Sequence, residues 1–383
     1  MTVQHTESNT QRTVIVTGAQ GLSGAAVLKR YAALPGATLY GVSRRPVEND
    51  GNARHISVDL LNADDVKAKL DDLPETTHLF FGAYIDKQNA AEKSEVNVRI
   101  LKNLLDALAE APLLRHITIF QGGKAYGSDL GPYKTPARED DPRLMSPNYY
   151  YDQEDLLRTR QKSSKWNFTV LRPGGAICGR SLGSPLNLIS VIGVYATICR
   201  EMGLPLRFPG PEKTYRALYQ VTSADLLARA TVWAGETTAA QNQIFNVTNG
   251  DTLRWQHMWP RIAKMFEMDI ADPVPFLLTT YMADKRPMWD AIVKRENLRP
   301  IPYEQIVAWG YGDFAFRQDF DNVSSTIKVR QAGFHECIDS ETMFSEIYGN
   351  LRERRILPRL SGSISPSIAE REVSAFDSER KVS

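Results

Sequence analysis

Short runs of β-branched and aromatic residues alternate with longer amphipathic stretches over the first half of the chain. Thr13 to Thr17 is followed by a helical pattern from Leu22 to Ala33. The strand signal returns at Thr38 to Val42, His55 to Leu60, His78 to Tyr84, Arg115 to Phe120 and Phe168 to Leu171, with an amphipathic helix predicted from Asn97 to Ala109. Strands of this length separated by helices predict an α/β protein with a Rossmann-type, doubly wound parallel sheet. Farther on, the apolar stretch from Leu186 to Cys199 and the segment from Pro273 to Trp309, with Phe276, Tyr281, Met282, Met288 and Trp289, predict a smaller, mainly helical cap over the ligand edge of that sheet. A last helix is expected from Ser340 to Glu353.

The expected partition is a flexible amino terminus (1–11), a Rossmann core (12–180) completed by parts of 216–250 and 311–358, a substrate-binding cap from 181–215 and 251–310, and a disordered tail (361–383). Because these segments interleave, they are expected to fold as one cooperative unit.

Between the first strand and first helix lies Gly18-Ala19-Gln20-Gly21-Leu22-Ser23-Gly24. Glycines at this spacing let the backbone turn tightly and approach a pyrophosphate, which then rests on the N–H groups of the following helix. A bare glycine triplet is weak evidence, but its place inside a β-α-β pattern makes it strong. The second strand ends in Ser43-Arg44-Arg45-Pro46, where an NAD site usually places an acidic residue. Guanidinium groups at Arg44 and Arg45 suit a 2′-phosphate and predict NADPH, with two solvated surface arginines as the plainer reading. Asp59, after the third strand, is placed either to contact adenine or to cap a helix.

Composition narrows the partners. The 383 residues carry 46 Lys and Arg against 45 Asp and Glu, which does not favour nucleic acid or an anionic membrane. Cys178, Cys199 and Cys337 are widely spaced and the six histidines scattered, so no metal site and no disulfide framework is expected. Residues 1–11 are polar, and no stretch approaches the roughly 18 apolar residues of a membrane span. A cytoplasmic enzyme acting on a small molecule is expected, with a homodimer left open.

Hydride chemistry beside such a cofactor needs a phenol to supply a proton and a cation near it. The Tyr-x-x-x-Lys pattern of many short-chain dehydrogenases fails here, since Glu154 follows Tyr150 and Asp155 follows Tyr151 at the fourth position. The candidate cation is Lys124, in Phe120-Gln121-Gly122-Gly123-Lys124, upstream of Asn148-Tyr149-Tyr150-Tyr151-Asp152-Gln153-Glu154-Asp155. With Arg172-Pro173-Gly174, Leu204-Pro205-Leu206-Arg207-Phe208, Phe245-Asn246-Val247-Thr248-Asn249-Gly250 and Trp255-x-x-Met258-Trp259, these segments resemble the progesterone 5β-reductase/iridoid synthase-like (PRISE) family of extended short-chain dehydrogenases, from about Thr13 to about Pro358.

The resemblance implies NADPH-dependent reduction of an enone or enal, or of a carbonyl, in a small apolar natural product of secondary metabolism. The alternative is a non-redox isomerase or cyclase with the same pocket. It implies Tyr150 and Lys124 as catalytic residues. Lys124 would hold the nicotinamide ribose and lower the Tyr150 pKa by proximity, and Tyr151 is the rival phenol. The implied cofactor site takes Gly18, Gln20, Gly21, Leu22 and Gly24 from the turn, and Arg44, Arg45, Asp59 and Leu60 from the second and third strand ends. Ala83, Gln121, Lys124, Tyr150 and Ile177 complete it. Tyr84, Tyr151 and Tyr281 are the substrate-facing candidates. Against the family pattern, Gln121 or Gly122 stands in place of a threonine and Ala125 in place of a histidine.

Overall fold

The computed structural model describes residues 11–44, 53–71, 73 and 75–360. Arg45, residues 1–10 of the expected amino-terminal segment and the expected tail at 361–383 lie outside the described residues.

The first six strands are β1 (Arg12–Thr17), β2 (Ala37–Ser43), β3 (Ala53–Ser57), β4 (His78–Phe81), β5 (His116–Phe120) and β6 (Asn167–Pro173). Four shorter or later ones follow as β7 (Ala176–Cys178), β8 (Leu206–Arg207), β9 (Val221–Ser223) and β10 (Gln243–Val247), then β11 (Ile270–Ala271). A seven-stranded sheet runs in the order β10-β6-β5-β4-β1-β2-β3, with every pairing parallel. Strand order reverses between β1 and β4, so the crevice at their carboxyl ends is where such a sheet takes ligands.

Both faces of the sheet are covered. Helices α1 (Leu22–Ala32), α2 (Ala63–Leu70), α3 (Ala90–Ala107) and α4 (Tyr149–Gln161) follow strands in the expected alternation. One core joins Ile15, Leu79, Ile117 and Val170 of the sheet to Val66, Leu101 and Leu157 of α2–α4. On the other face, Val14, Val16 and Phe80 pack on Val27 and Leu28 of α1 and on Ala228 and Val232 of the helix Ala224–Glu236. Strands buried on both faces read as near-continuous apolar runs, which is why β1, β4 and β5 were legible.

The cap has its own core. Helix α5 (Leu188–Glu201) is buried from Leu188 to Cys199 and meets an aromatic knot of Phe208, Trp255, Trp259 and Phe316. The carboxyl-terminal helix Ser340–Glu353, within the 311–358 span of which parts were expected to complete the Rossmann core, joins the cap core through Phe344 and Tyr348. The helix Trp309–Ala315 straddles the expected boundary at residue 310.

Two boundaries differ for physical reasons. Helix α3 begins at Ala90, seven residues before the expected Asn97, because the Asn89 side chain accepts from the Glu92 amide at 3.0 Å and starts it there. Strand β3 ends at Ser57, and the cap of α2 is Asn62, which accepts from Asp64 and Asp65 amides; Asp59 is not that cap.

At the amino-terminal edge of the sheet, His78 and His116 stand opposite each other in adjacent strands. Burial lowers the His78 pKa to about 4 and that of His116 to about 3, and His116 Nε2 has no hydrogen-bond partner among the described residues. Both are neutral in the folded protein while the unfolded chain protonates them near 6.5, so folding loses stability as pH falls below about 6.5 and continues to lose it down to the folded values. Between pH 6.5 and about 5, where carboxylates titrate little, each histidine should remove about 2 kcal/mol. Urea unfolding at neutral pH and near pH 5 measures this; His116→Phe should remove about half the loss, and an unchanged loss would contradict it.

Candidate active site

The glycine turn is tightly built. Gly18 has φ +65°, and a Cβ there would lie 2.5 Å from the Gly82 carbonyl oxygen at the end of β4. A Cβ on Gly24 would lie 2.3 Å from the Gly18 oxygen, so the first turn of α1 sits directly on the loop. Gly21 caps α1 without a side-chain hydrogen bond, and the first turn holds no acidic residue. An uncapped amino terminus with close glycine backbone fits the pyrophosphate of a dinucleotide. Gln20 is half-buried and Leu22 is buried, leaving the turn's backbone as the contact surface. Behind it, a cavity of about 830 Å³ lined by Gln20, Lys29, Arg180, Gly183 and Arg354 lies away from the tyrosines.

Arg44 is exposed at the end of β2, where its carbonyl accepts from the Ser57 hydroxyl at 3.2 Å. Asp59 is exposed just past β3; its carboxylate accepts from the Leu61 amide, and the Leu60 carbonyl accepts from Asn103. Ala83 follows β4 half-buried, and Ile177 lies in β7 beside β9.

Lys124 sits on a 3₁₀ turn, Gly123–Tyr126, closed by Gly127 at φ 86°. Asn148 ties this turn to α4. Its side-chain oxygen accepts from the Tyr150 amide at 3.1 Å, and its nitrogen donates to the Lys124 carbonyl at 2.8 Å. The Tyr150 hydroxyl faces Gly122: a Cβ on that glycine would lie 3.6 Å from it. The phenol therefore stands over the carboxyl ends of β5 and β6.

Beneath it lies a buried polar frame. Arg172, 4 % exposed at the end of β6, donates to Glu154 at 2.5 Å, to Gln121 Oε1 at 3.0 Å and to the Tyr126 hydroxyl at 3.1 Å. Gln121 Nε2 donates to the Tyr150 carbonyl at 2.8 Å, so its side chain is committed to the frame. Glu154, at the position a Tyr-x-x-x-Lys enzyme gives to lysine, also accepts from Arg143 at 2.9 Å.

Burial raises the Tyr150 pKa; a hydrogen bond from Tyr149 and the Arg172 charge pull it down, while Asp129 pushes it up. The expectation gave the acidifying charge to Lys124, whereas the cation lowering Tyr150 here is Arg172. The Lys124 ammonium lies 5.9 Å from the ring centroid of Phe314, an aromatic 43 % exposed on the helix Trp309–Ala315.

Tyr151 turns the other way. It is 7 % exposed, donates to the Ala125 carbonyl at 2.7 Å, accepts from the Leu144 amide at 3.2 Å and carries Arg143 over its ring. This places it in the frame rather than facing a substrate. Tyr84 is exposed beside Tyr149, with ring centroids 5.6 Å apart. Tyr281 lies in the cap, tilted against Phe276 with ring centroids 4.5 Å apart, in a separate aromatic group from Tyr150.

Sequence reasoning assigned no role to Arg172, Glu154, Asn148 or Phe314. A charged residue ending the apolar run Phe168 to Leu171 was the available signal for Arg172. Phe314 carried none, since an aromatic on a short helix reads as core.

Residues 54–358 match the PRISE-like Rossmann-fold domain. Over 360 residues the chain is 34 % identical to "(S)-8-oxocitronellyl enol synthase ISY1" of Nepeta cataria, covering 90 % of this chain and 92 % of that protein. It is 30 % identical over 377 residues to "Short chain dehydrogenase gsfE" of Penicillium aethiopicum, covering 91 % and 100 %. Among solved structures, the UDP-glucose 4-epimerase of Thermotoga maritima superposes with a TM-score of 0.65 at 15 % identity, covering 89 % of this chain and 99 % of that one, which shows the shared fold. The chain belongs to the PRISE-like family of Rossmann-fold enzymes, within the extended short-chain dehydrogenase superfamily.

Proposed function

We propose that this enzyme is an NADPH-dependent reductase that adds hydride in a 1,4 sense to an enone or enal of a small apolar natural product in secondary metabolism. The observation that carries the reading is the Tyr150 phenol, kept protonated by burial, aimed at the bare backbone of Gly122 and tied through Asn148 to Lys124. Relatives named as enol synthases support a product in which the carbonyl oxygen has gained a proton.

The glycine turn and the crevice toward Gly122 would hold NADPH, which would supply hydride for the substrate's β-carbon. Negative charge then develops on the carbonyl oxygen, where a preorganised donor lowers the barrier by several kcal/mol. Tyr150 hydrogen-bonds that oxygen and gives up its proton. Arg172, fixed by Glu154 and Gln121, stabilises the phenolate left behind. Lys124 would hold the nicotinamide ribose, and Phe314 with Tyr84 would wall the substrate side with apolar surface.

Arg44 and Arg45 would hold the 2′-phosphate. Losing one such charge-assisted contact in Arg44→Ala should weaken NADPH about 10- to 100-fold while leaving NADH nearly unchanged. Titrating wild type and variant with both cofactors checks it, and equal affinity for the two in both proteins would sink the assignment. Consumption of NADPH with a panel of enones tests the reaction itself.

A further inference from the structure

Lys124 and Tyr150, the cation and the phenol of the proposed reaction, sit on separate elements, the 3₁₀ turn Gly123–Tyr126 and the start of α4. The turn is four residues long and lies between Gly122 and Gly127, the latter at φ 86°, so its own backbone does little to hold it. A closed ring of hydrogen bonds fixes the two groups relative to each other. Asn148 takes the Tyr150 amide on its side-chain oxygen and gives its nitrogen to the Lys124 carbonyl. On the other side the Tyr150 carbonyl accepts from Gln121 at 2.8 Å, and Gln121 accepts from Arg172 at 3.0 Å. Arg172 in turn donates at 3.1 Å to the hydroxyl of Tyr126, which shares the turn with Lys124.

Tyr126 closes this ring and moors it to the sheet. Arg172 and Asn246 are partners in the β6–β10 ladder, and the Tyr126 hydroxyl lies between them, accepting from the first and donating to the second at 2.5 Å. The Asn246 oxygen faces Tyr126 because the side-chain nitrogen donates to the Ala137 and Ser325 carbonyls at 3.1 and 3.2 Å. Burial raises the Tyr126 pKa to about 12, so the hydroxyl keeps the proton it donates. The Arg172 guanidinium lies 5.0 Å from the Tyr126 ring centroid. Phenylalanine would fill the same space, and the hydroxyl adds the two bonds that close and moor the ring.

We propose that Tyr126 is a positioning residue for hydride transfer, closing the hydrogen-bond ring that holds Lys124 and Tyr150 at one separation. This rests on the enone-reductase reading above. Buried in the frame, Tyr126 acts through Arg172 and the Lys124 turn rather than on substrate. Misplacing reacting groups by about 1 Å can lower a rate on the order of 10²-fold, so a loosened ring should show in kcat.

The test is a double-mutant cycle on the full chain with NADPH and cyclohexenone as probe, at a temperature where every variant is folded. In Tyr126→Phe and in Asn148→Ala, kcat should each fall about 10-fold with KM and NADPH affinity within about 2-fold, the split of misplaced groups. The double variant should also fall only about 10-fold, since a ring opened once is not opened further, whereas two independent defects would multiply to about 100-fold. A wild-type kcat in Tyr126→Phe, or losses that multiply, would overturn the assignment. Should Tyr126→Phe fail to fold, the cycle moves to Gln121→Met and Asn148→Ala, which leave Tyr126 in place. With Tyr126 closing the ring these two are coupled in the same way. Were the ring open there, they would act on opposite sides of Tyr150 and multiply, which would overturn it. If wild type oxidises no NADPH with cyclohexenone or any other enone, the reductase reading falls and the positioning role with it. If wild type turns over and only the cycle fails, the positioning role falls alone.

Discussion

Tyr150→Phe is expected to lower turnover by roughly 10²-fold or more with cofactor affinity little changed, because the lost donor acts mainly in the transition state. The ring and its packing against Tyr149 survive the change, so the loss reports the hydroxyl. Tyr151→Phe should behave differently. Its hydroxyl joins the Ala125 carbonyl to the Leu144 amide inside the frame, so removing it should cost about 1–3 kcal/mol of stability with a much smaller effect on turnover. Lys124→Met should weaken both catalysis and cofactor binding, the latter because the ammonium would hold the ribose. Steady-state rates for these variants across several enones, with urea unfolding beside them, check the ranking. If Tyr151→Phe is consistently the worse catalyst, the roles of the two phenols are reversed.

Glu154→Gln should destabilise the fold by about 3–5 kcal/mol, since it leaves the buried Arg172 guanidinium without its counter-charge. Arg172 is 4 % exposed and Glu154 2 %, so water cannot replace the lost partner. The same change removes a partner of Arg143, whose other anion is the exposed Asp155. The paired change Glu154→Leu with Arg172→Met removes both charges and should recover most of the stability, as apolar replacement of a buried pair does elsewhere. It should not recover turnover, because Arg172 would, on the proposed mechanism, also support the Tyr150 phenolate, and it fixes Gln121 against the Tyr150 carbonyl. Chemical unfolding of the three proteins measures the first effect. A single variant within about 1 kcal/mol of wild type would show that the pair does not hold the frame.

The parts legible in the sequence were those encoded locally. The glycine turn lies within seven consecutive residues, and the buried strands announce themselves as apolar runs. The final helix lies where its periodicity placed it, Ser340–Glu353, but the layer it joins depended on Phe344 and Tyr348 meeting residues far away in the chain. The start of α3 was masked because its first turns carry Glu92, Lys93, Ser94 and Glu95, while the Asn89 cap signal stood ahead of them. The frame under Tyr150 was not readable for a similar reason. Arg172 ends a strand and Glu154 lies on the preceding helix, and only the sheet's curl and the packing of α4 bring them to 2.5 Å. Phe314 meets Lys124 across 190 residues of chain, and no local pattern encodes that contact.

The measurement that bears most directly on the reductase reading is the fate of a labelled hydride. The enzyme would be given NADPH carrying deuterium at the transferable position of nicotinamide, together with a conjugated enone, and the product examined by NMR. The proposal predicts stoichiometric NADPH oxidation and deuterium at the β-carbon, both formed about 10²-fold more slowly in Tyr150→Phe. Product formed without NADPH oxidation, or deuterium at the carbonyl carbon alone, would contradict it.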